Sequence, residues 1–177
     1  AAAGIYRVPM KEIGKHDPRR QIGKVAVLAL GYQGGGGAFQ SMARNYNVKV
    51  EDEEADEIKV AWREAHPEIV RYWYAIEAAA VTAMKTGGAV SAGPTGRQVT
   101  YKKAGSFLWC KLPSGRVLCY PYPELRTITN PWGEEKEALT YMTVVSNIKA
   151  KILEDPHASG TWKRVATYGG SLVENVT

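Results

Sequence analysis

The sequence predicts an α+β fold, with a helical segment running to about residue 86 and then a small antiparallel β region containing a hairpin. Three observations predict it. Apolar residues between 52 and 86 recur at three- and four-residue spacing, as they do on one face of a helix. From residue 99 onward, short runs rich in Val, Leu, Tyr and Trp alternate with Gly, Pro and Ser, the pattern of strands and turns. Gly87-Gly88 separates the two regimes.

The first residues, AAAGIYRVPM, have neither an initiator Met nor the long apolar core of a signal peptide, and read as the last turn of a helix. Residues 5 to 18 form a connector with Pro9, Gly14 and Asp17-Pro18 as breakers. Asp17 caps a helix from 18 to about 31, and Pro18 suits its first turn because a proline lacks the N–H left unpaired there. Gly34 to Gly37 interrupt it, and AFQSMARNY, 38 to 46, is a short helix. The next helix starts near Asp52. Glu51, Asp52, Glu53, Glu54, Asp56 and Glu57 sit at its N-terminus, where the helix dipole favours negative charge. Its apolar stripe is Ile58, Ala61, Trp62 and Ala65, and Pro67 opens a further helix over 67 to 86. Trp62, Tyr72, Trp73 and Tyr74 are expected in the core rather than on a ligand.

In the second half VTYKK, SFLWCKL and RVLCYPY read as strands. A two-residue Ser114-Gly115 turn would set Leu112 against Val117, Cys110 against Cys119 and Trp109 against Tyr120. Both thiols would then share one face, expected as reduced cysteines. LTYMTVV and TWKRVAT are further strands, with SNIKAKILEDPHASG between them, and a helix opens after Gly169-Gly170. The chain is expected to be a fragment beginning and ending inside elements, with a helical part over 1–88 and a β-rich part over 89–177.

Composition bounds the function. Apolar residues make up 45% of 177, enough for a core, and the formal charge of +5 suits a polyanionic partner. Two cysteines are too few for a disulfide framework, which points to a reducing, cytoplasmic setting. No apolar stretch reaches the roughly 18 residues of a membrane span, so no membrane partner is expected. His16, His66 and His157 lack metal-ligand spacing.

The stretch RRQIGKVAVLALGYQGGGGAFQ, 19 to 40, admits two readings. In one, a strand feeds a glycine-rich phosphate loop. That reading lacks the Gly-Lys-Ser/Thr of a Walker A loop, and no start within the glycines completes GxGxxG. In the other, a helix carries Arg20, Lys24, Leu28 and Tyr32 four residues apart, so that they drift slowly around one face. Two cations suit a triphosphate, and an apolar side chain followed by an aromatic ring suits a sugar and a base. A basic amphipathic helix with a solvated end has the same spacing.

Arg20, Lys24 and Tyr32, as R-x3-K-x7-Y, resemble motif B of family A DNA polymerases, the DNA polymerase I group. There the motif lies on the nucleotide-binding helix of the fingers subdomain. IYRVPMKEIGKHDPRRQIGKVAVLALGYQGG resembles the segment entering and spanning that helix. EEADEIKVAWREAHPEIVRYWYAIEAAA resembles the next fingers helices of phage-type members, and WKRVATYGGSLVENVT resembles the return toward the palm. The resemblance implies that Arg20 and Lys24 hold the triphosphate of an incoming dNTP, that Leu28 lies beside its sugar, and that Tyr32 guards the template slot. Many members have Gly after this tyrosine, where this chain has Gln33.

The resemblance also implies a parent enzyme that transfers nucleotidyl groups in DNA replication, using two Mg²⁺ ions held by palm aspartates. The motifs carrying those aspartates do not appear in this chain, so the fragment alone is expected to be inert. Primer–template DNA and the rest of the palm and thumb are the implied partners, in a phage-infected or prophage-bearing bacterial cell. Tyr32 and Gln33, with the basic hairpin residues Lys102, Lys103, Lys111 and Arg116, are the candidate DNA contacts. A non-catalytic nucleic-acid-binding module is the alternative class.

Overall fold

The computed structural model describes residues 1–129, 133–145 and 161–177. The expected loose segment from Ser146 to Gly160, His157 included, lies outside them. The chain divides into two compact units, residues 1–75 together with 169–177, and residues 76–168. Helices come first and antiparallel strands follow, so the fold is α+β.

The first unit opens with α1 (Ala2–Ile5) and a single 3₁₀ turn at Met10–Glu12. Helix α2 (Pro18–Leu30) starts as the sequence predicts. Asp17 caps it by accepting the Arg19 N–H at 2.8 Å, and Pro18 fills its first position. Because residues 18–30 are helical, the strand-and-phosphate-loop reading falls. Gly23 lets α1 pass close by, since a Cβ there would stand 2.6 Å from the Ala2 nitrogen. Helix α3 (Gly36–Asn45) begins two residues earlier than expected, because Gly35 serves as its N-cap in an extended conformation. Helix α4 (Asp52–Ala65) buries Ala55, Ile58 and Trp62. Its buried stripe therefore lies nearer the N-terminus than expected, and Ala65 is exposed. Helix α5 (Pro67–Thr86) has the expected bounds, and its first half belongs to this unit.

Val25, Leu30, Phe39, Trp62 and Trp73 are fully buried and form the core of this unit. The two indoles stack with centroids 6.0 Å apart, and His66 stacks on Trp62 at 4.5 Å. His66 Nδ1 lies 2.7 Å from the Trp62 carbonyl, which makes it the protonated ring nitrogen. The Trp73 indole N–H donates to the Gly31 carbonyl at 2.9 Å, and Arg63 donates to the Gly34 carbonyl at 3.2 Å. The first satisfies a carbonyl freed where α2 ends, and the second holds the glycine link that follows. Helix α6 (Gly169–Val176) buries Leu172 and Val173 and packs its first turn on the same exit. The Gly170 N–H donates to the Gln33 side-chain oxygen at 2.8 Å. Cβ atoms on Gly169 and Gly170 would come within 2.2 Å of the Trp73 carbonyl oxygen and 2.1 Å of the Tyr32 carbonyl oxygen.

The second unit holds two antiparallel sheets. One has the order β1-β2-β3-β4: Val90–Ala92, Val99–Ala104, Phe107–Lys111 and Val117–Pro121. The other has the order β5-β6-β7: Glu124–Thr129, Glu135–Val145 and Thr161–Ala166. Strands β1 and β5 were not expected from the sequence, and β6 starts four residues before LTYMTVV. Val99, Tyr101, Leu108, Cys110 and Tyr120 are buried on the inner face of the first sheet. The Tyr120 ring meets Tyr141 of β6 edge-on at 5.0 Å. Among the described residues no helix is long and apolar enough to cross a membrane.

The expected hairpin register is wrong by one residue. Trp109 lies opposite Cys119, Cys110 opposite Leu118, and Lys111 opposite Val117. The cause is Pro113. A two-residue turn would make Pro113 and Arg116 exchange two hydrogen bonds, and proline has no N–H to give. Leu112 takes that place instead, donating to the Arg116 carbonyl at 2.8 Å and accepting from the Gly115 N–H at 2.9 Å. The loop is thus three residues long, with Pro113 entering the turn and Gly115 left-handed at φ +85°. The slip separates the thiols, leaving Cys110 buried inside and Cys119 exposed outside.

Two outcomes follow from this packing. Gly170→Ala should destabilise the fold by about 3 kcal/mol, because its Cβ meets backbone that cannot step aside. Gly37→Ala, with nothing within 4 Å, should instead stabilise by about 0.5–1 kcal/mol. Urea unfolding of both variants checks the opposite signs. Under native conditions a thiol reagent should modify Cys119 quickly and Cys110 only on unfolding, since burial also pushes the Cys110 thiol up. Peptide mass mapping reads which thiol has reacted, and an oxidised Cys110–Cys119 bridge would contradict the register.

Candidate nucleotide-binding face

Helix α2 turns Gly23, Val25, Ala26 and Leu30 inward, which leaves the opposite stripe to solvent. Arg20, Lys24, Leu28 and Tyr32 are all exposed, Leu28 at 45% and Tyr32 at 38%. Arg20, Lys24 and Leu28 therefore lie along one open stripe of α2, whereas Tyr32, expected on the same helix, falls in the turn two residues past its end. Successive members of a four-residue series on a helix hold their Cβ atoms about 5–6 Å apart. Arg20 and Lys24 can thus approach neighbouring oxygens of one polyphosphate.

The cations differ in their freedom. Arg19 is consumed by Asp17, its guanidinium meeting the carboxylate at 2.6 Å through Nη2 and at 3.1 Å through Nε. That side-chain hydrogen bonding holds the Asp17 carboxyl below the usual carboxylate range. Arg20 and Lys24 have no ion-pair partner among the described residues. The Lys24 ammonium does lie 5.4 Å from the centre of the Tyr46 ring, a cation–π approach that leaves its N–H donors available. Both residues line a groove of about 760 Å³ whose walls also include Lys15, His16, Pro18 and Val27. Among the described residues the one carboxylate on that groove, Asp17, is the one held by Arg19.

Lys15 and His16 escaped the sequence reading because they belong to the connector and share no period with α2. Their proximity to Arg20 could have been suspected only from the cap at Asp17, which fixes where the connector joins the helix. Past the groove, Leu28 and then Tyr32 extend the surface toward α6. The Tyr32 hydroxyl stands 3.3 Å from the Thr177 hydroxyl. Gln33 has φ +66° and spends its side-chain oxygen on the first turn of α6. Its place in the sequence, where a glycine would ease a left-handed turn, is filled by a residue that caps a helix.

The remaining candidates lie in the second unit. Lys102 and Lys111 are exposed on the outer face of the four-stranded sheet, and Arg116 stands beside the hairpin loop. Lys103 points to the other face, as strand alternation requires, and its ammonium donates to the Gly105 carbonyl. Among the described residues no three His, Cys, Asp or Glu side chains gather into a group that could hold a metal ion. The acidic run at the start of α4 is the solvated helix end that the sequence suggests, exposed at Asp52, Glu53, Glu54, Asp56 and Glu57.

No family model matches the chain, and no solved structure does. The chain is 42% identical over 176 residues to a DNA polymerase of Bacillus phage SP02. That alignment takes in 99% of this chain and 24% of the polymerase, so the chain spans about a quarter of the length of the curated relative it matches.

Proposed function

We propose that this chain is the fingers portion of a family A DNA polymerase of phage or prophage type, and that α2 grips the incoming dNTP. One observation carries the reading. Arg20 and Lys24 stand exposed and free of ion pairs in a single groove, while the adjacent Arg19 is locked by Asp17. A helix that neutralises one arginine and leaves the next two cations of its stripe available is suited to binding an anion. In this role Arg20 takes phosphate oxygens in pairs through its planar fork, and Lys24 acts as a point charge. Leu28 supplies apolar contact for the sugar, and Tyr32, steadied against α6, offers its ring to the nascent base pair. The 42% identity along nearly the whole chain to part of a phage DNA polymerase supports the same reading.

In this reading Mg²⁺ would supply charge neutralisation and activation of the attacking hydroxyl in the complete enzyme. The residues described here do not form such a site, and none of the roles above runs through a metal. The metal-binding carboxylates are assigned to the palm of a longer protein, which also supplies the thumb. Primer–template DNA is the proposed partner of Tyr32, Gln33, Lys102, Lys103 and Arg116, and the bacterial cytoplasm the proposed setting.

In the polymerase carrying this segment, Lys24→Ala should lower kcat/KM for dNTP about ten- to hundredfold, the loss expected when a charge-assisted contact disappears. Primer extension across a dNTP titration measures it, and unchanged efficiency removes the assignment. The 177-residue chain alone, given Mg²⁺, dNTPs and a primer–template, should extend nothing. Extension by the purified chain would mean that its own carboxylates bind the metals.

A further inference from the structure

Residues 88–123 contain five of the chain's 23 Lys and Arg and none of its 18 Asp and Glu, so the rest of the chain balances 18 against 18. The whole formal charge of +5 resides in the segment that builds the four-stranded sheet. The register then sorts these residues by face. Thr100, Lys102, Phe107, Trp109, Lys111 and Cys119 share the outer one. Trp109 is 39% exposed, and the Phe107 ring lies beside it at 5.2 Å, tilted by 43°. Lys102 is directly opposite Trp109 on β2, and Lys111 follows two positions along β3. None of the described residues on this face is a carboxylate.

We propose that the outer face of this sheet is a stacking platform for single-stranded DNA, with Trp109 and Phe107 receiving bases and Lys102 and Lys111 receiving the flanking phosphates. An exposed indole bracketed by two cations matches the alternation of ring and phosphate along a nucleotide strand. A duplex keeps its base faces stacked on one another, so only an unpaired strand can present a face to Trp109. An acidic peptide would satisfy the lysines and gain little from the ring. The choice of DNA rests on the polymerase reading. The platform itself rests on Trp109 and its neighbours and makes no use of α2.

Fluorescence anisotropy of the full chain with a dye-labelled dT oligomer of about 12 nucleotides tests it. Trp109→Ala should weaken binding about five- to hundredfold, and Trp109→Phe should retain most of the affinity. Trp162→Ala, at a still more exposed indole on the other sheet, should change nothing. Lys102→Gln and Lys111→Gln should each lower the slope of log affinity against log salt by about 0.7. Circular dichroism of each variant keeps loss of folding apart from loss of contact. The proposal is overturned if folded Trp109→Ala binds as the parent chain does, or if duplex or polyglutamate competes as well as unlabelled oligo-dT. It is also overturned if sedimentation shows Trp109-dependent self-association without DNA binding. Loss of dNTP use in Lys24→Ala and loss of oligomer binding in Trp109→Ala are read in different assays, so failure of the nucleotide grip and failure of the platform are separable results.

Discussion

The exit of α2 is the constraint on which the first unit depends. A helix that ends inside a protein leaves carbonyls without partners, and each buried one must find a donor. Here one such donor comes from far along the chain, and a second holds the glycine link beyond it. Trp73 supplies an indole N–H to Gly31, and Arg63 supplies a guanidinium N–H to Gly34. Each donor is itself fixed by packing, Trp73 through its stack on Trp62, and Arg63 by lying 5.8 Å from the Trp73 ring centre. The tryptophans therefore act as more than buried area. They fix the corner that follows α2, and with it the turn that carries Tyr32 and Gln33.

Much of this was legible in the sequence, and the readable parts share a cause. Asp17-Pro18 and Pro67 mark helix starts through backbone chemistry that acts within a turn or two, and α2 and α5 begin where these residues say. Trp62 and Trp73 fell on helical periods and are buried, whereas Tyr74, expected in the core with them, is exposed on a different face of α5 from Trp73. The strand failures also have local causes. Glu124–Thr129 alternates charged and apolar residues too weakly to mark a buried face, yet β6 recruits it as an edge strand. The hairpin was misread because Ser114-Gly115 was weighed as a turn without Pro113, whose missing N–H decides which residue closes the loop. A single backbone hydrogen thereby reassigned every side chain on β4 relative to β3.

The candidate face was legible for a different reason. Four-residue spacing names the residues on a stripe whatever lies beneath it, and the burial of Val25, Ala26 and Leu30 puts that stripe outside. Spacing could not say which cations were free. Arg19 and Arg20 are adjacent and chemically identical, and only the cap at Asp17 tells them apart. Nor could it find Lys15 and His16, which reach the groove from a connector without a period. The basic residues of the hairpin were seen as a group because composition is blind to faces. Register divides them, placing Lys102 and Lys111 with Trp109 and turning Lys103 away.

The union of α6 with the Tyr32–Gln33 corner has a consequence for how the molecule is made. Gln33 and Gly170 are 137 residues apart, and everything from 76 to 168 belongs to the other unit. At about 5–20 residues per second of synthesis, roughly 7–27 s separate the emergence of these two partners from a ribosome. The second unit is continuous in sequence and can close during that interval. The first must wait with Leu172 and Val173 still unmade. For that interval the nascent chain carries a Gln33 side chain without its helix and an uncovered apolar patch, the kind of surface on which chaperones act and aggregation begins.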